Sequence, residues 1–184
     1  MDALFAAARD TLLELLADPR HLGARAGIQL ALHTWTRPMA LHPHLHALVS
    51  HGGLVNGQWV APRRSHFLPA RVVMMLFRGK LLDALRKLHQ RAALRLPDEL
   101  SEERFVSLLN RLGRKVKWNV RVCERYAHAQ GLSLYLARYV KGGPLPKSRA
   151  LWEHDDLVSF AYTDHRDGRA KTLSLKPEQF LGRV

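Results

Sequence analysis

The first candidate for chemistry is a histidine cluster at residues 42–46, which read His-Pro-His-Leu-His. Residues two apart on a β-strand share a face, so His44 and His46 point the same way and the leucine between them faces the core. Two imidazoles at this spacing can hold one metal ion, and His33, at the end of the preceding predicted strand, can supply a third ligand. His42 is the alternative third ligand, although the proline that follows it stiffens the chain. Three ligands leave positions open for a substrate, which is typical of a catalytic metal site.

The second candidate is a pair of tyrosines, Tyr135 and Tyr139, in the run Tyr-Leu-Ala-Arg-Tyr. We predict a helix over residues 129–141, and this spacing puts both phenols on one face of it, one turn apart. A tyrosine oxygen can attack a phosphodiester and hold the 5′ side of the break as a phosphotyrosine, so the break can be resealed. Arg138 and Lys141 lie alongside and are candidate DNA contacts.

Each of these motifs has a plainer interpretation. The histidines could form a histidine-rich loop without a metal, and the tyrosines could form an aromatic packing stripe. The phenol of an unperturbed tyrosine has a pKa of about 10 and is protonated at neutral pH. A tyrosine nucleophile therefore needs a metal or a cation nearby. The presence of both motifs in one chain therefore favours the chemical interpretation, because a metal site and a paired nucleophile complement each other.

Charge indicates the kind of partner. The 184 residues include 29 lysines and arginines against 16 acidic residues, for a formal net charge of +13. Such a surface attracts polyanions, and DNA or RNA is the commonest of these. The candidate backbone contacts on a predicted basic helix and a predicted strand with a cationic face are Arg78, Lys80, Lys115, Lys117 and Arg121. An ordinary solvated surface is the alternative for each of them.

Cysteine usage and hydropathy narrow the class of protein further. Cys123 is the single cysteine, which excludes a disulfide within the chain and a cysteine-based zinc finger. No apolar run reaches the roughly 18 residues of a membrane span, and the start of the chain lacks the pattern of a signal peptide. We therefore expect a cytoplasmic protein.

Periodicity and turn residues predict alternating blocks of helices and strands. Helices are predicted at 2–17, 69–96, 101–112, 129–141 and from 176 onward, and strands at 27–35, 45–49, 54–60 (a hairpin about Asn56-Gly57), 115–122, 157–162 and 170–175. The expected fold is α+β, with a central, mainly antiparallel sheet of five or six strands flanked by helices. We expect one domain over residues 1–184.

These motifs, in this order, resemble those of the two-tyrosine rolling-circle transposases of the insertion-sequence-ninety-one type, members of the HUH (His-hydrophobe-His) nuclease superfamily. The matching segments are 32–35, 42–46, 52–54 with Trp59, 67–69, 76–78, 135–139, 158–160, Asp164, 167–168 and 171–174. They span nearly the whole chain.

The resemblance implies a sheet that carries the two histidines of the HUH motif and a nearby helix that presents the tyrosines. It implies metal binding by His44 and His46, with Mg²⁺ or Mn²⁺ as cofactor, and nucleophile roles for Tyr135 and Tyr139. The implied substrates are single-stranded DNA at transposon ends and target, which are nicked and transferred through a 5′-phosphotyrosine.

The sequence also departs from the family pattern. Relatives usually begin with a cysteine-rich zinc-binding segment and continue beyond the point that corresponds to Val184, so this chain is expected to be the catalytic core. Residues 140–144 (Val-Lys-Gly-Gly-Pro) stand where the family usually has a Thr-His-Arg-type run. Two alternatives remain: a DNA-binding transposase remnant without catalysis, and a related plasmid replication initiator or relaxase.

Overall fold

The structure is a computed structural model that describes residues 2–64, 68–123, 125–126, 130–131, 133, 136–137, 151–164 and 167–183. The chain divides into two compact units, one of residues 1–30 and 48–125 and the other of residues 31–47 and 126–184. The elements with described bounds are α1 (Asp2–Ala17), β1 (Arg25–Trp35), β2 (Leu41–Val55), β3 (Gln58–Val60), α2 (Ala70–Gln90), α3 (Glu102–Arg114), β4 (Leu151–His154), β5 (Leu157–Thr163), β6 (Ala170–Leu175) and α4 (Pro177–Leu181).

The first unit is built around helix α1 and the long helix α2, which pack together. Leucines at helical spacing give α1 one apolar face, and Leu12, Leu15 and Leu16 are buried on it. This face meets Val73 of α2 and the buried alanines at the start of β1. Burial of each such leucine contributes roughly 1.5–3 kcal/mol, so this cluster stabilises the unit substantially.

Helix α2 is shorter than the predicted helix at 69–96, because it ends at Gln90. Ala92 adopts a left-handed conformation with φ of 52°, which turns the chain out of the helix. Leu94 and Leu96 then pack against the buried cluster formed by Leu82 of α2 with residues of α3. The apolar spacing that suggested a longer helix therefore serves packing between α2 and α3.

The predicted strand at 115–122 is wrong. Lys115 caps the end of α3, and residues 116–123 do not belong to a strand. The alternation of burial nevertheless persists, because Trp118 donates its indole N–H to the carbonyl of Leu112 at 2.9 Å and Val120 packs on the first core cluster. Trp118 and Val120 therefore pack on helices and core, while Val116 and Val122 are exposed.

Strands β1, β2 and β3 form one three-stranded sheet in that order. Gly27 lies beside Ser50 and Gly53 beside Arg25, while His33 lies beside His44 and His46, so β1 and β2 run antiparallel. The predicted tight hairpin is confirmed: Asn56 and Gly57 have φ of 50° and 80°, and Leu54 pairs with Trp59. The two long strands contribute residues to both units.

Strands β4, β5 and β6 form a second three-stranded antiparallel sheet, which lies in the second unit. The predicted hairpin of β5 and β6 is confirmed, with Ser159 opposite Ser174 and their hydroxyl oxygens 2.7 Å apart. Strand β4 was not predicted. It is joined to β5 by Asp155-Asp156, both with positive φ (50° and 57°), a two-residue turn of the kind that suits tight hairpins.

The α+β class and the antiparallel pairing predicted from the sequence are confirmed, with the strands divided between two small sheets. Helix α4 also begins where the sequence places it, with Pro177 at its first turn. No helix among the described residues is long and apolar enough to cross a membrane.

Candidate metal centre

The hairpin of β1 and β2 positions the three histidines that were predicted as metal ligands. His33 lies on β1, and His44 and His46 share one face of β2, as the two-residue spacing requires. The connection at 36–40 is tight: the N–H of Thr36 donates to the carbonyl of Ala40, and the N–H of Met39 donates to the carbonyl of Thr36, both at 2.9 Å. This turn brings the ends of the two strands together, and the three histidines all belong to the second unit.

The three imidazoles form a compact cluster. Each offers one ring nitrogen, and these nitrogens lie within 4.8 Å of one another. The ring centroids are 4.6 Å apart for His33 and His46, 5.0 Å for His44 and His46, and 5.6 Å for His33 and His44. Nitrogens that bind one ion at about 2.1 Å lie roughly 3–4 Å apart, so small side-chain rotations suffice to bring these three onto one ion. Among the described residues, this is the group of three with that property.

The tautomer of neutral His44 follows from a contact within its own strand. Its Nδ1 lies 2.7 Å from the carbonyl oxygen of His42, and since a carbonyl only accepts, Nδ1 carries the proton. Neutral His44 therefore keeps the lone pair on Nε2, the nitrogen that remains for a metal. Orientation of a ligand histidine through its other ring nitrogen is the usual arrangement in metal sites.

His42 and His33, the two candidates for the third ligand, have different surroundings. The ring of His42 is tilted against that of His44, with centroids 5.1 Å apart, and its residue contributes the carbonyl just described. The ring of His33 lies edge-on to both other imidazoles and belongs to the compact group. This geometry favours His33.

His46 is held in the neutral form. The pKa of its imidazole is lowered to about 4, mainly by burial and to a smaller extent by the neighbouring His33 and His44. A neutral imidazole carries one unprotonated ring nitrogen, so at neutral pH His46 can act as a ligand without first losing a proton. Its Nε2 atom is itself buried, so bulk water does not reach that nitrogen.

Two residues that support the cluster were not predicted for that role. Trp35 stacks on His33 with ring centroids 5.0 Å apart and an interplanar angle of 12°, which holds the imidazole against the strand. The sequence signal was present, because residues 33 and 35 share a face of β1. Met39, in the turn between the strands, is 1% exposed and packs with Phe160 and Leu175 of the second sheet.

Further contacts fasten this turn to the second sheet and to the end of the chain. The guanidinium of Arg37 donates to the carbonyl of Thr163 at 3.2 Å, and that of Arg183 donates to the carbonyl of Pro38 at 3.2 Å. Met39 has φ of 59°, a left-handed conformation that costs a non-glycine residue about 1–2 kcal/mol. Burial of its side chain offsets this cost, so packing defines the turn from which both histidine strands extend.

Replacement of Met39 by alanine is expected to lower the free energy of unfolding by about 2–5 kcal/mol, because it leaves a cavity between the turn and the second sheet. The same change should weaken Mn²⁺ binding, since the turn sets the spacing of the histidine strands. Leu41→Ala is the matched control, because Leu41 is close in sequence and 82% exposed. Urea unfolding measures the free energy of unfolding, and calorimetric titration measures the affinity for Mn²⁺. Equal stability of the two variants would contradict the role of Met39 in anchoring the turn.

The predicted tyrosine nucleophiles Tyr135 and Tyr139, together with Arg138 and Lys141, lie outside the described residues. Described residues on either side of Tyr135, namely Gln130, Gly131, Ser133, Leu136 and Ala137, are helical. The nucleophile assignment stays a prediction.

The predicted DNA contacts fall in the first unit and differ in their surroundings. Lys115, Lys117 and Arg121 are exposed, while Arg78 is half-buried on α2. Lys80 forms an ion pair with Glu14 of α1, with 2.8 Å between nitrogen and oxygen. Its charge is partly compensated, which makes it the weakest of these candidates.

Comparison with known proteins identifies the family. Residues 27–184 match the protein family described as "Putative transposase". The chain is 34% identical to "Putative transposase y4qJ" of Sinorhizobium fredii, an alignment that covers 98% of this chain and 47% of that protein. It is 31% identical to "Transposase for insertion sequence element IS801" of Pseudomonas savastanoi pv. phaseolicola, over 100% of this chain and 44% of that protein.

The chain therefore belongs to this transposase family, in agreement with the class of protein that the sequence motifs suggested. It spans just under half the length of these two curated relatives. No solved structure gives a significant match to it.

Proposed function

We propose that this chain nicks single-stranded DNA and transfers the broken strand through a 5′-phosphotyrosine, with a divalent ion held by His33, His44 and His46. The observation that carries the proposal is the cluster of three imidazole nitrogens within 4.8 Å on one hairpin of a transposase-family chain. The relatives in this family are named as transposases, which favours transposition over plasmid replication or conjugation.

The chain's own residues prepare the site for a cation. The hydrogen bond from His44 to the carbonyl of His42 leaves one nitrogen for the ion, and the low pKa of His46 keeps that imidazole neutral at neutral pH. When bound, the ion would act as a Lewis acid on a phosphate oxygen and balance the charge that develops there. Imidazole donors suit transition ions better than Mg²⁺. Of the two ions that the family resemblance implies, we therefore propose that Mn²⁺ binds more tightly.

In the proposed reaction, the phenolic oxygen of Tyr135 or Tyr139 attacks the scissile phosphorus. A new bond forms between that oxygen and phosphorus, the bond to the 3′ oxygen of the neighbouring nucleotide breaks, and the phenolic proton is released. The departing 3′ oxygen takes up a proton, which leaves a free 3′ hydroxyl. Attack by another 3′ hydroxyl on the phosphotyrosine reverses these bonds and completes strand transfer, and two tyrosines allow two covalent strand ends at once.

The exposed cations are proposed to hold the DNA backbone. The variant Lys117→Ala/Arg121→Ala should weaken binding to single-stranded DNA and reduce the slope of log affinity against log salt by about 1.4, or roughly 0.7 per lost phosphate contact. Lys80→Ala should change the slope less, because Glu14 already compensates this charge. Fluorescence anisotropy at several salt concentrations gives the slopes. A flat dependence for the wild type would contradict DNA binding through these cations.

The proposed function is tested by incubating the purified chain with 5′-labelled and 3′-labelled single-stranded oligonucleotides and Mn²⁺. We expect a protein–DNA adduct that retains the label on the 3′ side of the nick, and a released strand with a free 3′ hydroxyl. EDTA should abolish both products, and the fully paired duplex should give neither. Cleavage that proceeds equally in EDTA, or without a protein-bound fragment, would overturn the proposal.

A further inference from the structure

Trp59 is unusual among the large apolar side chains because it is strongly exposed yet held in a defined place. It lies on the short strand β3 and is 60% exposed. Its cross-strand partner Leu54, 49% exposed, stands on the same face of the hairpin. The pair leaves an aromatic ring open to solvent within the first unit.

Gly52 packs against the indole ring of Trp59. It lies on the same strand face as Leu54, two residues earlier, and has φ of 144°, a conformation that side-chain-bearing residues rarely adopt. A Cβ at this position would come within 2.5 Å of Cζ2 and 2.7 Å of Cε2 of Trp59. Only a glycine at position 52 leaves room for the indole, so the ring of Trp59 packs directly against the backbone. The position of the ring is therefore defined before a ligand binds.

Two arginines follow the hairpin closely in sequence. Arg63 and Arg64 follow β3 by three and four residues, and both are exposed. The whole chain carries a net charge of +13. An aromatic ring that is fixed and exposed next to cations is the combination with which proteins bind single-stranded nucleic acid, by stacking on the base and attracting the backbone.

We propose that Trp59 is a stacking platform for an unpaired base of single-stranded DNA, with Arg63 and Arg64 drawing in the adjoining phosphates. This rests on the proposed function, which supplies the single-stranded substrate. Stacking is tolerant of sequence because every base has a π face, so the platform holds the strand without reading it. A fully paired duplex offers no free base face and does not occupy the platform.

The test compares binding of a labelled oligothymidylate with that of an abasic oligomer of equal length and charge. Wild-type chain should bind the oligothymidylate about tenfold more tightly, within the range for stacking of a base on an aromatic side chain. Trp59→Ala should bind both oligomers with the affinity that the wild type has for the abasic one, and Trp59→Phe should retain most of the preference. Trp152→Ala is the matched control, because Trp152 is also exposed (42%) but lies on β4.

Each outcome has a distinct meaning. The platform is overturned if Trp59→Ala keeps the preference for the oligothymidylate. It is also overturned if the affinity of this variant for the two oligomers falls by the same factor. Wild-type chain that binds both oligomers equally, with steep salt dependence, overturns the platform and leaves the proposed function standing. Failure of the wild type to bind either oligomer overturns both. If Trp59→Ala changes only the oligomeric state in gel filtration, the ring serves self-association and the platform is overturned. Thermal unfolding checks that each variant is folded.

Discussion

Replacement of His44 and His46 together by alanine is expected to lower the affinity for Mn²⁺ by at least about 100-fold, because partners that only orient a ligand already contribute 10- to 100-fold. Two of the three clustered nitrogens are lost, and the one that remains cannot hold an ion by itself. Metal-dependent cleavage of single-stranded DNA should fall below detection. Calorimetric titration of Mn²⁺ measures the affinity, and circular dichroism establishes that the half-buried imidazoles were removed without unfolding the chain.

His42→Ala is the matched control for this variant, because it removes a ring beside the cluster but keeps the carbonyl that accepts from His44. It should change the affinity for Mn²⁺ by only a small factor, whereas His33→Ala should weaken it strongly. If His42→Ala is the more damaging of the two, the third ligand has been assigned to the wrong residue. Equal affinity of the wild type and the His44/His46 double variant would contradict the metal site altogether.

The double variant Tyr135→Phe/Tyr139→Phe is expected to lose covalent adduct formation by at least about 1,000-fold, as removal of an essential nucleophile does in other enzymes. Each single variant should retain part of the activity, since one phenol remains on the same helical face. Phenylalanine removes only the hydroxyl and keeps the aromatic ring, so stability and Mn²⁺ affinity should be unchanged. Gel analysis of labelled DNA with and without protease measures the adduct.

A protease-sensitive adduct that persists in the double variant would show that neither tyrosine is the nucleophile. Loss of all activity in only one single variant would instead show that one tyrosine acts alone. Both results are separable from a folding defect, because Mn²⁺ titration reports independently on the histidine hairpin. The two double variants thus probe the cation and the nucleophile in separate measurements.

The histidine cluster was predictable because it depends on short-range geometry. Strand alternation alone places His44 and His46 on one face, and a return of the chain between His33 and residue 42 is enough to bring the third imidazole near. The tight hairpin at Asn56-Gly57 was predictable for the same reason, since its turn type is set by two residues. The hydrogen bond from His44 to the carbonyl of His42 depends on the side-chain rotamer of His44, which strand alternation does not determine.

Features that depend on distant parts of the chain were missed. The burial of Met39 is provided by Phe160 and Leu175, more than 100 residues later, and no local pattern reports it. The alternating segment 115–122 has the period of a strand, but Trp118 and Val120 pack on helices and core, which periodicity cannot distinguish from pairing. The division of the strands between two sheets is likewise a matter of long-range pairing.

The most direct test of the central claim is to identify the amino acid that becomes linked to DNA. The chain is incubated with single-stranded DNA and Mn²⁺, digested with nuclease and protease, and the modified peptide is sequenced by mass spectrometry. We expect a nucleotide linked through its 5′ phosphate to Tyr135 or Tyr139, formed with Mn²⁺ and absent both in EDTA and in the His44→Ala/His46→Ala variant. A nucleotide on any other residue, or a tyrosine adduct that forms equally in that histidine variant, would contradict metal-assisted cleavage by the tyrosine pair.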